Sequence, residues 1–153
     1  MNKSVLLTEE GLKKLRDELK VLKEDRRKEV IERIQEAVSH GDLSENADYA
    51  QAKEEQSFIE GRIVEIEEMI KHAEIIAHSQ NSSIVSIGST VTVMVNGKET
   101  KYTIVGANEA NPAAGKISNE SLVGKSLIGA KKGDVVPVMT PMGKTEYTIV
   151  NIE

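Results

Sequence analysis

The chain has no cysteine and no tryptophan, and its 153 residues include only three tyrosines and one phenylalanine. Without cysteine there can be no disulfide, no thiolate metal site and no thiol nucleophile, which fits a reducing compartment. The scarcity of aromatic side chains also argues against a surface that stacks nucleic-acid bases, because such surfaces depend on aromatic platforms.

Long apolar segments are missing as well. No apolar run approaches the roughly 20 residues that a membrane-spanning helix needs. The first residues, Met1-Asn2-Lys3-Ser4, lead directly into a charged helical pattern instead of the apolar core of a signal peptide. We therefore expect a cytoplasmic protein that does not associate with a membrane.

A strong excess of positive charge is absent from both halves of the chain, whose formal net charge is −5. Residues 1–78 carry 13 Lys and Arg against 19 Asp and Glu, and residues 79–153 carry 7 against 6. A protein that binds DNA or RNA by itself usually needs a large basic surface. Neither half therefore has the composition expected of a protein that binds DNA or RNA by itself.

The N-terminal half carries a first helical pattern. Thr8 is placed as an N-cap, and the following acids suit the positive end of a helix dipole. Leucines then recur at the three- and four-residue spacing of a coiled-coil seam: Leu12, Leu15, Leu19 and Leu22. A charged run over residues 23–29 interrupts this seam before it resumes at Val30, which predicts a stutter or a polar layer in an otherwise continuous helix.

A second helical pattern follows, with seam positions Ile59, Ile63, Ile66, Ile70, Ala73 and Ala77. Folding the chain about Leu43–Ser44 brings the two seams into register and places Leu22 opposite Ile66, Leu15 opposite Ala73 and Leu12 opposite Ile76. The sequence thus predicts an antiparallel coiled-coil hairpin over residues 1–77, with arms of roughly 33 residues and roughly 50 Å. Gly61 lies within the second arm, where we interpret it as a site of close helix packing.

Residues 41–46 form the predicted tip of this hairpin. Gly41 suits a helix C-terminus because it reaches positive φ without steric cost. Ser44, or alternatively Asp42, is the predicted cap of the second helix. Asp42 and Glu45 could hold one face of a Mg²⁺ ion, although two carboxylates are too few to bind it well alone. The simpler alternative is that both acids only cap the helix and complement its dipole.

Residues 78–83 are polar and are predicted to be a linker, and the period beyond them is that of strands. Residues 84–153 predict a small α+β domain with an antiparallel sheet and one helix over Ser121–Ala130. Asn96-Gly97 predicts a tight hairpin, Pro137 an edge strand, and Ile84–Ile87 a short strand. Gly124-Lys125-Ser126 is similar to the end of a phosphate-binding loop but lacks its first glycine, which argues against nucleotide binding.

The run His40-Gly41-Asp42-Leu43-Ser44-Glu45-Asn46-Ala47-Asp48-Tyr49 closely resembles the tip of the bacterial transcript-cleavage factors of the GreA/GreB family. The resemblance extends along both arms, from Arg26-Arg27 to Gly61-Arg62-Ile63. In the C-terminal half the matching motifs are Leu127-Ile128-Gly129, Gly133-Asp134-Val135-Val136, and Thr140-Pro141 with Gly143.

This resemblance implies a monomeric α+β protein of two domains, in which the hairpin enters the secondary channel of bacterial RNA polymerase. The C-terminal domain, 84–153, would be FKBP-like and would dock on the polymerase. The factor would not be an enzyme by itself. It would stimulate the polymerase's own cleavage of backtracked RNA and release arrested complexes.

The resemblance also implies roles for individual residues. Asp42 and Glu45 would be donated to the polymerase active site, where they share a second Mg²⁺ that the free factor does not bind stably. Other tip residues would support the tip or contact the RNA 3′ end: Leu43, Ser44, Asn46, Tyr49 and Lys53. Polymerase docking would involve Glu109, Ser121 and Leu122.

A few positions depart from the family pattern. Val38 stands where many members have arginine. The usual acidic loop is Asn108-Glu109-Ala110-Asn111, and the usual Ser-Pro is Ser121-Leu122. These departures bear on docking and on RNA contact more than on the acids of the tip.

Two other functions are compatible with the same architecture. A channel-binding inhibitor would slow transcription without cleaving RNA, although the spacing of Asp42 and Glu45 favours cleavage. A prolyl isomerase or chaperone would need an aromatic-lined apolar pocket, and the C-terminal half offers only Tyr102 and Tyr147.

Overall fold

The computed structural model describes residues 4–42, 46–77 and 83–153. The chain forms two compact units: the hairpin unit, Leu12–His72, and the sheet unit, which joins Met1–Gly11 to Ala73–Glu153. The start of the chain therefore belongs to the same unit as its C-terminal half. Within the described ranges, no helix has the length and apolar character required to cross a bilayer.

The hairpin unit has two antiparallel arms. The first arm combines helix α1 (Glu9–Val21), a π-helical turn (Leu22–Arg26) and helix α2 (Arg27–Ser39), and the second arm is helix α3 (Ala47–Lys71). An apolar cluster between the arms contains buried Val30, Ile59 and Ile63, with Leu19, Leu22 and Ile34 packed against them. Ala37, Ala52 and Ile66 are buried as well.

Ion pairs across the arms confirm the predicted register. Arg27 pairs with Glu60, and Arg33 pairs with Glu55. Both pairs join residues that folding about Leu43–Ser44 places opposite each other, although residues 43–45 themselves lie outside the described part of the chain. The antiparallel hairpin predicted from the two seams is thus present.

The π-helical turn lies where the leucine seam gives way to charge. The Arg27 N–H donates to the Leu22 carbonyl five residues earlier, and no residue of the turn is buried. Such a turn accommodates extra residues in a helical ladder without breaking the helix. The predicted polar interruption of a continuous arm is confirmed.

The second arm ends earlier than its seam suggested. Ala73–Ile75 is a strand, β2, which pairs in parallel with β1 (Val5–Leu7). The Ile76 N–H donates to the Leu7 carbonyl at 3.0 Å. The prediction that the helix continues to Ala77 is therefore wrong.

The pairings of Leu12 with Ile76 and of Leu15 with Ala73 fail for the same reason. The backbone of residues 73–76 bonds to the N-terminal strand, a partner nearly 70 positions away that helical periodicity does not indicate. Close packing at Gly61 is also wrong, because a Cβ built there meets no atom of the described chain within 4 Å.

The sheet unit contains a five-stranded sheet in the order β5–β4–β3–β7–β6, and only β4 and β5 are parallel neighbours. Its strands are Thr90–Val95 (β3), Lys98–Val105 (β4), Lys116–Ser118 (β5), Val135–Thr140 (β6) and Gly143–Ile152 (β7). One short helix, α4 (Leu122–Leu127), packs with them. Nine buried side chains form the core: Val85, Val91, Val93, Ile104, Leu127, Ala130, Val138, Tyr147 and Ile149. The predicted α+β domain with one helix is confirmed.

Two of three predictions made from short sequence patterns in this unit are confirmed. Asn96 and Gly97 have φ of 51° and 77° and join β3 to β4 as the predicted two-residue turn. Pro137 lies on β6, an edge strand. The predicted strand Ile84–Ile87 is wrong, because this segment contributes only a single bridge, from Ile84 to Lys131. Such a short apolar run is a weak signal for a strand.

Candidate functional site

The first arm ends in the turn predicted for the tip. Helix α2 stops at Ser39, and Gly41 then adopts a φ of 107°, a region that favours glycine. The Gly41 N–H donates to the Val38 carbonyl at 3.3 Å, which closes the end of the helix. Asp42 follows directly and is exposed. The prediction for Gly41 is confirmed.

Helix α3 is capped by Asn46, so the prediction of Ser44 or Asp42 as its cap is wrong. The Asn46 Oδ1 accepts the Tyr49 N–H at 3.1 Å. Its Nδ2 donates to the Ala37 carbonyl at 2.8 Å, within the last turn of α2. One side chain therefore satisfies backbone groups of both helices at the tip. The sequence signal was present, because asparagine is a favoured N-cap, but three capping residues compete in this short segment.

Other tip residues are partly described. Tyr49 is half-buried, and the exposed Lys53 donates from Nζ to the Gln56 Oε1 at 3.0 Å. Leu43, Ser44 and Glu45 lie outside the described residues, so the predicted carboxylate pair is represented by Asp42 alone. Among the residues that the structure does describe, no group of three or more His, Asp or Glu side chains is arranged to hold a metal ion.

Charge pairs line the two arms behind the tip. Arg27 donates two hydrogen bonds to Glu60, at 2.7 and 2.8 Å, and these bonds lower the pKa of the Glu60 carboxyl. Arg62 donates likewise to Glu18, at 2.7 and 3.2 Å. Hydrogen bonds from Arg62 to Glu18 and then to Glu65 raise the pKa of its guanidinium. Bidentate arginine–glutamate pairs of this kind hold the arms in one register.

The residues predicted for docking lie in the sheet unit. Leu122 has a side chain that is 61% exposed. Ser121 caps α4: its hydroxyl accepts the Gly124 N–H at 3.0 Å and donates to the Ser118 carbonyl at 2.7 Å. The Glu109 carboxylate accepts the N–H and the hydroxyl of Thr8. Of the three, Leu122 is the side chain most open to a partner.

The tyrosines of the sheet unit are packing residues. Tyr147 belongs to the buried core, Tyr102 packs against it, and their ring centroids are 6.5 Å apart. Burial, followed by the proximity of Tyr102, raises the pKa of the Tyr147 hydroxyl. Both rings contribute to the core of the sheet unit instead of forming an isolated aromatic cluster.

Comparison with known proteins agrees with this arrangement. Residues 5–75 match the model for the N-terminal part of a transcription elongation factor, and residues 80–153 match the model for the C-terminal part of GreA/GreB transcription elongation factors. The transcription elongation factor GreA of Bacillus licheniformis is 54% identical over 149 residues, which cover 95% of this chain and 94% of that protein.

A second curated relative and a solved structure are also similar to this chain. The transcription elongation factor GreA of Acetivibrio thermocellus is 51% identical over 154 residues, covering 99% of this chain and 97% of the relative. Among solved structures, GreA factor homolog 1 of Thermus thermophilus is 31% identical, with 99% of both chains covered and a TM-score of 0.46.

With a helical hairpin and a small sheet unit in its fold, and with transcription elongation factors as its curated relatives, this protein is a transcription elongation factor. The chain belongs to the GreA/GreB family, since the two family models together span nearly all of it.

Proposed function

We propose that the protein inserts its hairpin into the secondary channel of bacterial RNA polymerase and stimulates the polymerase's own cleavage of backtracked RNA. The observation that carries the proposal is the division of roles at the tip. Asn46 caps α3, while Asp42, which is exposed, follows the Gly41 turn at the end of α2. The acid at position 42 is therefore not the residue that caps the helix.

Asp42 and Glu45 would hold a Mg²⁺ ion that the polymerase shares. Carboxylate oxygens are the ligands that Mg²⁺ prefers, and one or two protein carboxylates commonly complete a shell built largely by water and substrate. When bound, such an ion stabilises developing charge and lowers the pKa of a coordinated water.

The remaining residues would position the tip and the factor. Gly41 and Asn46 hold the ends of α2 and α3, and the arginine–glutamate pairs keep the arms in register. Leu43, Ser44, Tyr49 and Lys53 would support the tip or contact the RNA 3′ end. The sheet unit would dock on the polymerase surface through Leu122 and the adjacent Ser121. The factor would act as a monomer in the cytoplasm, where the polymerase works.

Asp42→Asn tests the proposal directly. A polymerase complex stalled in a backtracked state is given Mg²⁺ and factor, and shortening of the RNA from its 3′ end is followed. The substitution should slow stimulated cleavage by on the order of 100-fold, which corresponds to about 2.7 kcal/mol of transition-state stabilisation. The matched control is Asp48→Asn, which removes the same charge from an exposed position in the first turn of α3.

Two results would count against the proposal. Wild-type rates with Asp42→Asn would show that this carboxylate takes no part in cleavage. A wild-type factor that binds the polymerase and slows elongation without shortening the RNA would instead identify a channel-binding inhibitor. Helical content of each variant, measured by circular dichroism, separates loss of the site from loss of the hairpin.

A further inference from the structure

The start of helix α1 is capped by two residues that are far apart in sequence. Thr8 precedes the helix, and its Oγ1 accepts the Gly11 N–H at 3.0 Å. Glu109 lies in a 3₁₀ turn, Ala107–Glu109, that follows strand β4. Its Oε2 accepts the Thr8 N–H at 2.8 Å, and its Oε1 accepts the Thr8 hydroxyl at 2.6 Å.

This arrangement is a capping box in which the glutamate comes from a distant part of the chain, the turn after β4. In a capping box, the N-cap hydroxyl binds the N–H of the third helical residue, and a Glu or Gln at that position binds the N-cap N–H in return. The third helical residue here is Gly11, which has no side chain. A Cβ built on Gly11 would overlap the Glu109 carboxylate, so the carboxylate of Glu109 occupies the space where a local capping glutamate would begin.

We infer that Glu109 is the detached capping-box residue of helix α1 and acts as a positioning residue, not as an acid that contacts the polymerase. The inference rests on the proposed function only where it concerns docking. Its structural part concerns Thr8, Gly11 and Glu109, which all lie in the sheet unit.

The residues around Glu109 also hold the segment before α1 against the rest of the sheet unit. Gly106, just before the 3₁₀ turn, is so close to β1 that an added Cβ would overlap the Leu6 carbonyl. Leu7, the last residue of β1, is completely buried. An ion pair joins Glu10, in the first turn of α1, to Lys116 of β5 at 3.7 Å. The segment that leads into α1 is therefore held to the sheet unit on both sides of Thr8.

A rescue experiment separates positioning from docking. Glu109→Ala removes the detached carboxylate, Gly11→Glu adds a local one, and the double variant moves the carboxylate from one position to the other. Glu109→Ala should lower the Tm by about 3–6 °C, the size expected for loss of one cap in a chain of this length. Gly11→Glu alone should lower it as well, since two carboxylates would compete for one space.

The double variant should recover most of the lost Tm, because Thr8 and Glu at position 11 can form a local capping box. Glu99→Ala, which removes an exposed carboxylate from β4, is the matched control and should leave the Tm unchanged. Exchange of the Thr8 amide proton, followed by NMR, should be faster in Glu109→Ala and slow again in the double variant. An unchanged Tm and amide exchange in Glu109→Ala, or no recovery in the double variant, would overturn the inference.

Cleavage assays then test whether Glu109 also contacts the polymerase. Glu109→Ala should raise the factor concentration for half-maximal cleavage by up to about fivefold while leaving the saturating rate unchanged. The double variant should return that concentration to the wild-type value. If its Tm recovers but its half-maximal concentration does not, Glu109 contacts the polymerase and the positioning role fails. If wild type stimulates no cleavage, the proposed function fails, while the Tm and exchange measurements still decide the capping role.

Discussion

Asn46 links the ends of two helices through one side chain. Its carbonyl oxygen satisfies an N–H at the start of α3, and its amide satisfies a carbonyl in the last turn of α2. Unpaired groups at helix ends are normally satisfied by caps on each helix separately. At this tip, a single residue therefore controls both the beginning of one arm and the end of the other.

Substitutions at Asn46 should distinguish its two hydrogen bonds. Asn46→Ala loses both and should reduce the free energy of unfolding by about 1–2 kcal/mol. Asn46→Asp keeps an acceptor for the Tyr49 N–H but has no donor for the Ala37 carbonyl, so its loss should be smaller. Urea unfolding followed at 222 nm measures both effects. Equal stability of wild type and Asn46→Ala would mean that the bridge makes no net contribution.

Among the elements, helix α3 contains a glycine that its own structure does not require. Gly61 is exposed, and the space where its Cβ would lie is open. Glycine in a helix interior costs roughly 1 kcal/mol relative to alanine, because more backbone freedom is lost on folding. Gly124 of α4 is the opposite case, since an added Cβ there would overlap the Ser118 carbonyl.

Gly61→Ala should therefore stabilise the hairpin unit by about 0.5–1 kcal/mol, whereas Gly124→Ala should destabilise the sheet unit. Thermal unfolding of the two variants gives the comparison. A loss of stability in Gly61→Ala would contradict the open space at this position. If stability rises and cleavage falls, a partner contacts α3 at this point.

Over the whole molecule, the two units are stabilised in different ways. The sheet unit buries nine side chains in one core. The hairpin unit has a smaller apolar cluster around Val30, Ile59 and Ile63, a few further buried side chains such as Ile66, and a row of ion pairs between its arms. Apolar burial depends little on salt or on carboxylate protonation, while exposed ion pairs are weakened by added salt and by protonation of their carboxylates. The hairpin unit should therefore be the more sensitive of the two to acid and to salt.

The acid response follows from Glu60, whose pKa Arg27 lowers through hydrogen bonds. A carboxyl with a lowered folded-state pKa stabilises the fold above its unfolded pKa, about 4.3, and this stabilisation is lost as pH falls through the folded value. Glu60→Gln should thus weaken the hairpin near pH 7 and make its stability less dependent on pH below 4.3. Helical signal at 222 nm against pH measures this, and exposed Glu32→Gln is the control. An identical pH profile for wild type and Glu60→Gln would contradict the role of this pair.

The sequence by itself determined the elements that depend on local pattern. Two seams at three- and four-residue spacing gave the arms and their register, and Asn96-Gly97 gave the hairpin of β3 and β4. Gly41 marked the end of α2 because positive φ is a property of the residue itself. Periodicity and turn chemistry act over a few neighbours, which is why a sequence is sufficient to find them.

Only the tertiary structure decided which competing partner each group takes. It paired residues 73–75 with the N-terminal strand instead of extending α3, chose Asn46 over Ser44 and Asp42 as the cap, and placed the Glu109 carboxylate over Gly11. These outcomes depend on contacts between segments far apart in the chain, where several local choices have similar free energies. The choice among them is made by packing and hydrogen bonding in the folded protein, and local sequence preference does not encode it.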